Sequence, residues 1–154
     1  TRRALPPCLI FILIHYKTYQ NLITQCTRNQ LDSCVTLGIW TRDYLESPAD
    51  AYLPLKKACD GKNMKGCNVL ANLYLDPYSG LGMDYPKALE LYRKACKGGY
   101  DNACRNAKET EEEMRNQTAE DRAAKRQERL EALQRSCMGE NDAACRALQR
   151  ELQR

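Results

Sequence analysis

The chain places apolar or small residues at helical spacing, and it repeats this pattern several times. The segments AYLPLKKAC (51–59), ALELYRKAC (88–96) and RLEALQRSC (129–137) share the pattern, and each ends on a cysteine. Their apolar positions recur every three to four residues, which places them on one face of an α-helix. A second cysteine follows each segment after seven further residues, and another apolar stretch comes after it. The pattern therefore predicts a series of paired helices.

Residues that favour turns and helix ends stand at regular places between these helices. Left-handed helix ends are predicted at Gly61, Gly98 and Gly139, with Asn29 in that role in the first pair. Aspartates can cap the second helix of a pair, and prolines tolerate the first turn of a helix. We accordingly predict caps at Asp32, Asp101 and Asp142, and helix starts at Pro48 and Pro86.

The cysteines explain how each pair is closed. Eight of the nine cysteines form C-x₇-C pairs, and Cys8 is left over. Cysteines eight apart in one helix would lie about 12 Å apart, beyond disulfide reach, but they meet across an antiparallel helical hairpin. Four local disulfides are therefore predicted, and they favour an oxidising compartment. The predicted bridges are Cys26–Cys34, Cys59–Cys67, Cys96–Cys104 and Cys137–Cys145.

A metal site and a redox dithiol remain as weaker alternatives for these cysteines. Zinc sites and catalytic dithiols both favour C-x-x-C, which the sequence lacks, and His15 is its only histidine. We expect no cofactor. The net charge of +4, without a basic run, also argues against nucleic acid as a partner.

The two ends of the chain differ from the central pattern. Residues 1–14 hold an apolar run behind Arg2 and Arg3, which resembles part of a signal peptide but lacks a cleavage site. The run is also shorter than the ~20 residues that span a bilayer. We expect either a strap over the first helices or a segment docked on a partner or a membrane surface.

The C-terminal part is highly charged. Residues 105–129 contain one large apolar side chain, Met114, and no glycine or proline. We expect a charged helical connector over 108–128. Either residues 101–138 form one helix, or the helix breaks at 116–118 and Thr118 caps a new one. A terminal hairpin is expected over 129–154. It is interpreted either as a polar cap or as an arm that binds a partner.

The segments ALELYRKACKGGYDNAC (88–104), CNVLANLY (67–74) and SGLGMDYPKAL (79–89) resemble the Sel-one-like repeats, which are relatives of the tetratricopeptide repeat. The resemblance is to the cysteine-rich, disulfide-bridged branch. That branch includes Helicobacter cysteine-rich proteins and a mitochondrial cytochrome-oxidase assembly factor. The resemblance is close over residues 48–107 and weaker over residues 18–47. It implies an all-α, right-handed solenoid whose concave face binds proteins or peptides, here of about four hairpins, with three of them in residues 15–107.

Some Helicobacter members of this branch are associated with penicillin binding and weak β-lactam hydrolysis. Serine β-lactam enzymes use a serine with lysine three residues later and a K-T-G motif. No serine of this chain has that lysine, and K-T-G is absent. A secreted β-lactam-binding or hydrolysing protein therefore remains only an alternative, as does a metal or redox carrier.

The function we predict is a non-enzymatic interaction scaffold, an accessory or assembly subunit of a larger, membrane-associated complex. The expected location is an oxidising compartment: the intermembrane-space side of a mitochondrial membrane complex, or the bacterial periplasm or the exterior for a secreted protein. Tyrosine, tryptophan and exposed apolar residues favour interfaces. The predicted contact residues are Leu9, Ile10, Phe11, Ile12, Leu13, Trp40, Tyr44, Tyr52, Tyr78 and Tyr85.

Overall fold

A computed structural model describes residues 6–139 and 141–153 of the chain, and it confirms the all-α class. No strand occurs among these residues, and a short 3₁₀-helix, Pro48–Ala51, precedes α3. The chain divides into two compact units between Glu111 and Glu112. The helices are α1 (Pro7–Thr27), α2 (Leu31–Asp43), α3 (Tyr52–Asp60), α4 (Met64–Tyr74), α5 (Tyr85–Lys97), α6 (Asp101–Met138) and α7 (Asp142–Leu152).

Consecutive helices of the first unit pack against each other from α1 to α5, and α2 also contacts α4. The core lies between them. Leu55 of α3 and Leu73 of α4 are fully buried, and Val35, Leu70 and Tyr92 are nearly so. Burying a leucine of this kind stabilises the fold by about 1.5–3 kcal/mol. The core of this unit is therefore built from the apolar stripes that the sequence pattern predicts.

The turn between the two helices has the same backbone structure in the first three hairpins. In the first hairpin the Gln30 N–H donates to Gln25 O and the Asn29 N–H to Cys26 O, a Schellman motif. The residue three positions after the first cysteine has a positive φ: 64° at Asn29, 68° at Lys62 and 95° at Gly99. Asn29 therefore has the predicted role.

The predicted role of Gly61 and Gly98 is wrong, since their φ angles are −77° and −80°. These glycines provide space instead of a left-handed conformation. A Cβ on Gly61 would collide with the side chain of Leu31, and one on Gly98 would collide with Met64. Each helix end is thereby pressed against the start of the second helix of the preceding hairpin.

The predicted aspartate caps are also wrong. Each of the three aspartates lies inside its helix, one or two residues after the N-cap position. The side chain of Asn63 caps α4, and that of Asn141 caps α7 by accepting from the N–H groups of Ala143 and Ala144. Asp142 and Asp101 are the first residues of α7 and α6, inside the helix. Asp32 lies in the first turn of α2, and its Oδ1 accepts from Asn63 Nδ2 at 2.7 Å. That bond joins two successive hairpins.

The prolines start helices as predicted: Pro48 opens the 3₁₀-helix, and Pro86 lies in the first turn of α5. Two expected boundaries fall inside helices. α1 runs without a break past residue 14, and α6 runs unbroken through 116–118. Thr118 is an internal residue there, and its Oγ1 donates to Met114 O at 2.8 Å. A segment without glycine or proline has no local reason to break.

Candidate functional site

Four disulfides close the hairpins in the local pairing that the spacing predicts. Each joins the last turns of one helix to the first turn of the next, with Cα–Cα distances of 4.4–4.7 Å. They indicate an oxidising environment. Cys8 is free and exposed. Among the described residues, no group of three histidine, cysteine or acidic side chains is placed to hold a metal ion. The bridges are Cys26–Cys34, Cys59–Cys67, Cys96–Cys104 and Cys137–Cys145.

The start of α1, residues 7–14, forms an exposed segment that we call the apolar tip. Its six consecutive large apolar side chains are each between 43% and 62% exposed, and Cys26 is the only buried residue of α1. The described part of the chain therefore does not use these residues as a strap over its core. The side chains are Leu9, Ile10, Phe11, Ile12, Leu13 and Ile14.

An aromatic groove lies at the base of the apolar tip, between α1 and the end of α2. The ring centroids of Phe11 and His15 are 3.9 Å apart, those of His15 and Trp40 5.8 Å, and those of Trp40 and Tyr44 5.1 Å. The groove encloses about 490 Å³. Four predicted contact residues line the groove and thus come together: Phe11, Ile12, Trp40 and Tyr44. The other residues that line the groove are His15, Tyr16, Tyr19, Gln20 and Leu45.

His15, Tyr16, Tyr19 and Leu45 were not predicted for this groove. Phe11, His15 and Tyr19 follow each other at intervals of four residues, the spacing of one helix face, and this signal could have revealed them. It was missed because the apolar run was not expected to be one helix with the residues that follow it.

The other predicted contact residues do not join this groove. Tyr52 meets Tyr74 edge to face, with ring centroids 6.4 Å apart. Burial, followed by the hydrogen bond with Tyr52, raises the pKa of Tyr74 to about 12. Tyr78 is 85% exposed in the loop before α5, and Tyr85 is the first residue of α5.

A charged groove of about 200 Å³ lies between α3, α4 and α5. Lys56 forms an ion pair with Asp60 at 2.5 Å, and Lys87 forms one with Glu90 at 3.0 Å. The hydrogen bond from Lys56 lowers the pKa of the Asp60 carboxyl. The groove residues are Tyr52, Lys56, Cys59, Asp60, Leu70, Tyr74, Lys87, Glu90, Leu91 and Lys94.

An apolar groove of about 440 Å³ lies between α1, α2 and α3. Ile23 and Leu37 line it, together with Leu53 and Pro54 of α3. Leu53 is 73% exposed. At this groove Lys57 Nζ donates to Cys26 O at 2.8 Å, which ties α3 to the end of α1. None of the predicted contact residues lines this groove. Leu53 could have been recognised, because it is a large apolar residue that does not lie on the helix face of the buried Leu55.

Three serine hydroxyls have local structural partners. Ser33 Oγ donates to Gln25 Oε1, and Ser47 Oγ donates to Asp50 Oδ2. Ser79 is fully buried, and its Oγ accepts from the Leu81 N–H. These contacts join helices or order a loop.

None of the described helices is both long enough and apolar enough to cross a membrane. Comparison with known proteins adds no relative: no family model, no curated protein and no solved structure matches the chain. The surfaces described above are therefore the features of this chain that indicate a function.

Proposed function

We propose that this chain is a non-enzymatic interaction scaffold, an accessory or assembly subunit of a larger membrane-associated complex. The observation that carries the proposal is the pair of open grooves between the first helices of successive hairpins. The apolar groove lies between α1 and α3, and the charged groove lies between α3 and α5. Two neighbouring grooves that share α3 can bind an extended segment of a partner protein, whereas a small molecule would occupy only one of them.

The contacts between hairpins support a stacked arrangement in the first unit. Lys57 Nζ bonds to Cys26 O, and Asn63 Nδ2 bonds to Asp32 Oδ1, between the first and second hairpins. Asn106 Nδ2 bonds to Asn68 Oδ1 at 2.8 Å, between the second and third. We propose that this stacking continues as a right-handed solenoid of the Sel-one-like type. A regular stack would place its first helices side by side as one binding surface.

The two grooves define the chemistry of the partner segment. The exposed Leu53 and the neighbouring Ile23 offer an apolar contact. The charged groove has three lysines against two carboxylates. The partner segment we propose therefore presents an apolar side chain to the first groove and a carboxylate to the second, near Lys94.

The disulfides help this binding through rigidity. Each bridge holds a hairpin in one geometry before the partner arrives, so less conformational entropy is lost on binding. The same bridges suit the mitochondrial intermembrane space or the bacterial periplasm, where disulfides persist. We propose one of these two compartments for the complex.

Affinity co-purification from the native source tests the proposal through a matched pair of variants. Leu53→Asp puts a charge into the apolar groove, whereas Leu152→Asp makes the same change at a 65% exposed leucine of α7. We expect the first variant to lose the partners that the parent retains, and the second to keep them. Equal recovery of the same partners by both variants would contradict the proposal. Circular dichroism of each variant checks that the fold is intact.

A further inference from the structure

The apolar tip exposes apolar side chains around its whole circumference. Successive residues of an α-helix are about 100° apart, so the six residues from Leu9 to Ile14 cover every direction around the axis. All six are exposed. A partner that packs on one side of a helix covers a stripe about 100° wide and would leave the remaining faces in water. Lipid acyl chains cover all faces at once.

The first backbone groups of α1 are suited to an apolar medium. The first turn of a helix normally leaves several N–H groups without an acceptor, which is costly in hydrocarbon. Pro6 and Pro7 carry no N–H. The N–H groups of Leu9 and Ile10 both donate to Pro6 O, at 2.9 and 3.2 Å. Little unsatisfied backbone therefore remains at this end of the described helix.

Two of the polar side chains just after the tip form hydrogen bonds with backbone carbonyls of the same helix. His15 Nδ1 is hydrogen-bonded to Phe11 O at 2.9 Å, and Thr18 Oγ1 donates to Ile14 O at 2.9 Å. These bonds lower the cost of holding polar side chains at the edge of a low-dielectric layer.

Aromatic residues with polar tips gather at this edge, which we call the aromatic belt. Tyrosine and tryptophan are enriched where a bilayer meets water, and a lysine just beyond can reach the headgroups. Lys17 stands at that place and is exposed. The belt residues are Tyr16, Tyr19, Trp40 and Tyr44.

We infer that the apolar tip inserts into the acyl layer of one leaflet of a lipid bilayer, with the aromatic belt at the level of the headgroups. This contact rests on the proposed function only for its membrane association. The apolar and charged grooves are lined by other residues, so lipid binding by the tip and protein binding by the grooves can be tested independently.

The oxidised full chain is tested with neutral phosphatidylcholine vesicles. Flotation measures binding, and Trp40 reports insertion because it is the only tryptophan of the chain. We expect the parent to float with the vesicles and its fluorescence to shift to the blue. Leu13→Asp should weaken vesicle binding roughly 100-fold, because an aspartate is several kcal/mol less favourable than a leucine in the hydrocarbon layer. Leu53→Asp, at the apolar groove, should bind vesicles like the parent.

Co-purification from detergent separates the two contacts. Leu13→Asp should keep the protein partners that Leu53→Asp loses. Absence of vesicle binding by the parent, or equal binding by Leu13→Asp, would overturn the lipid inference. If the parent does not bind vesicles and Leu13→Asp loses the protein partners, the tip is a protein contact and the inference is wrong.

Discussion

Gly66 of α4 lies so close to Ala58 of α3 that a Cβ on Gly66 would be 2.7 Å from Ala58 Cβ. The two residues stand immediately before the cysteines of the second bridge, whose Cα–Cα distance of 4.4 Å is the shortest of the four. A small residue precedes the second cysteine in every hairpin. These residues are Ser33, Gly66, Ala103 and Ala144. Close helix approach beside the disulfide is therefore a shared feature of the hairpins.

Gly66→Ala should destabilise the protein by about 1–3 kcal/mol, because neither Cβ can rotate away from the other. Denaturant unfolding of the oxidised protein measures the loss. Gly139→Ala is the control, since a Cβ there would have its nearest neighbour at 3.4 Å. Equal stability of the two variants would show that the hairpin widens at no cost.

The bridge of the third hairpin should contribute about 2.5 kcal/mol, from the loop-closure entropy of its short loop. Replacing Cys96 and Cys104 together by alanine should therefore lower the free energy of unfolding by about 2–4 kcal/mol and leave the helical signal in place. Cys8→Ala, at the exposed free cysteine, should change it by less than about 0.5 kcal/mol. A double variant as stable as the parent would mean that this bridge does not stabilise the fold.

The disulfide pairing was predictable because it follows from helix geometry alone. Two cysteines eight positions apart can pair only when a turn lies between them. The roles of the glycines were not predictable in the same way. A sequence shows that Gly61 and Gly98 are glycines, but it cannot show whether the backbone needs a positive φ or a neighbour needs space. Here Leu31 and Met64 need the space.

The surfaces were predicted only in part for a similar reason. The exposed aromatic residues and the apolar run were recognised from residue type, so Phe11, Trp40 and Tyr44 were expected at a contact. Their meeting in one groove depends on the antiparallel packing of α1 and α2, which brings Trp40 to His15. The groove at Leu53 depends on how two hairpins stack, which the spacing of the residues does not reveal.

Stability should fall at alkaline pH because of Tyr92. Burial, followed by the nearby charge of Glu109, raises the pKa of Tyr92 to about 12 from 10.0. The unfolded chain loses this proton first, so the contribution is complete below about pH 10 and is lost as the pH rises toward 12.

Tyr92→Phe should flatten the fall in unfolding free energy over that pH window. At neutral pH the variant should lose about 0.5–1.5 kcal/mol, because Tyr92 Oη no longer donates to Asn72 Oδ1. The unfolding free energy of the variant should still depend on pH to some extent, because the pKa of Tyr74 is also raised to about 12. Parallel stability curves for parent and variant would contradict the assignment to Tyr92.

Lysine cross-linking of the native complex, read by mass spectrometry, tests the scaffold proposal most directly. Lys56, Lys87 and Lys94 line the charged groove, and Lys125 stands on the exposed part of α6 as an internal control. The scaffold account predicts that cross-links to the partner concentrate on the three groove lysines and disappear with Leu53→Asp. Cross-links that leave these lysines untouched while the partner still co-purifies would contradict it.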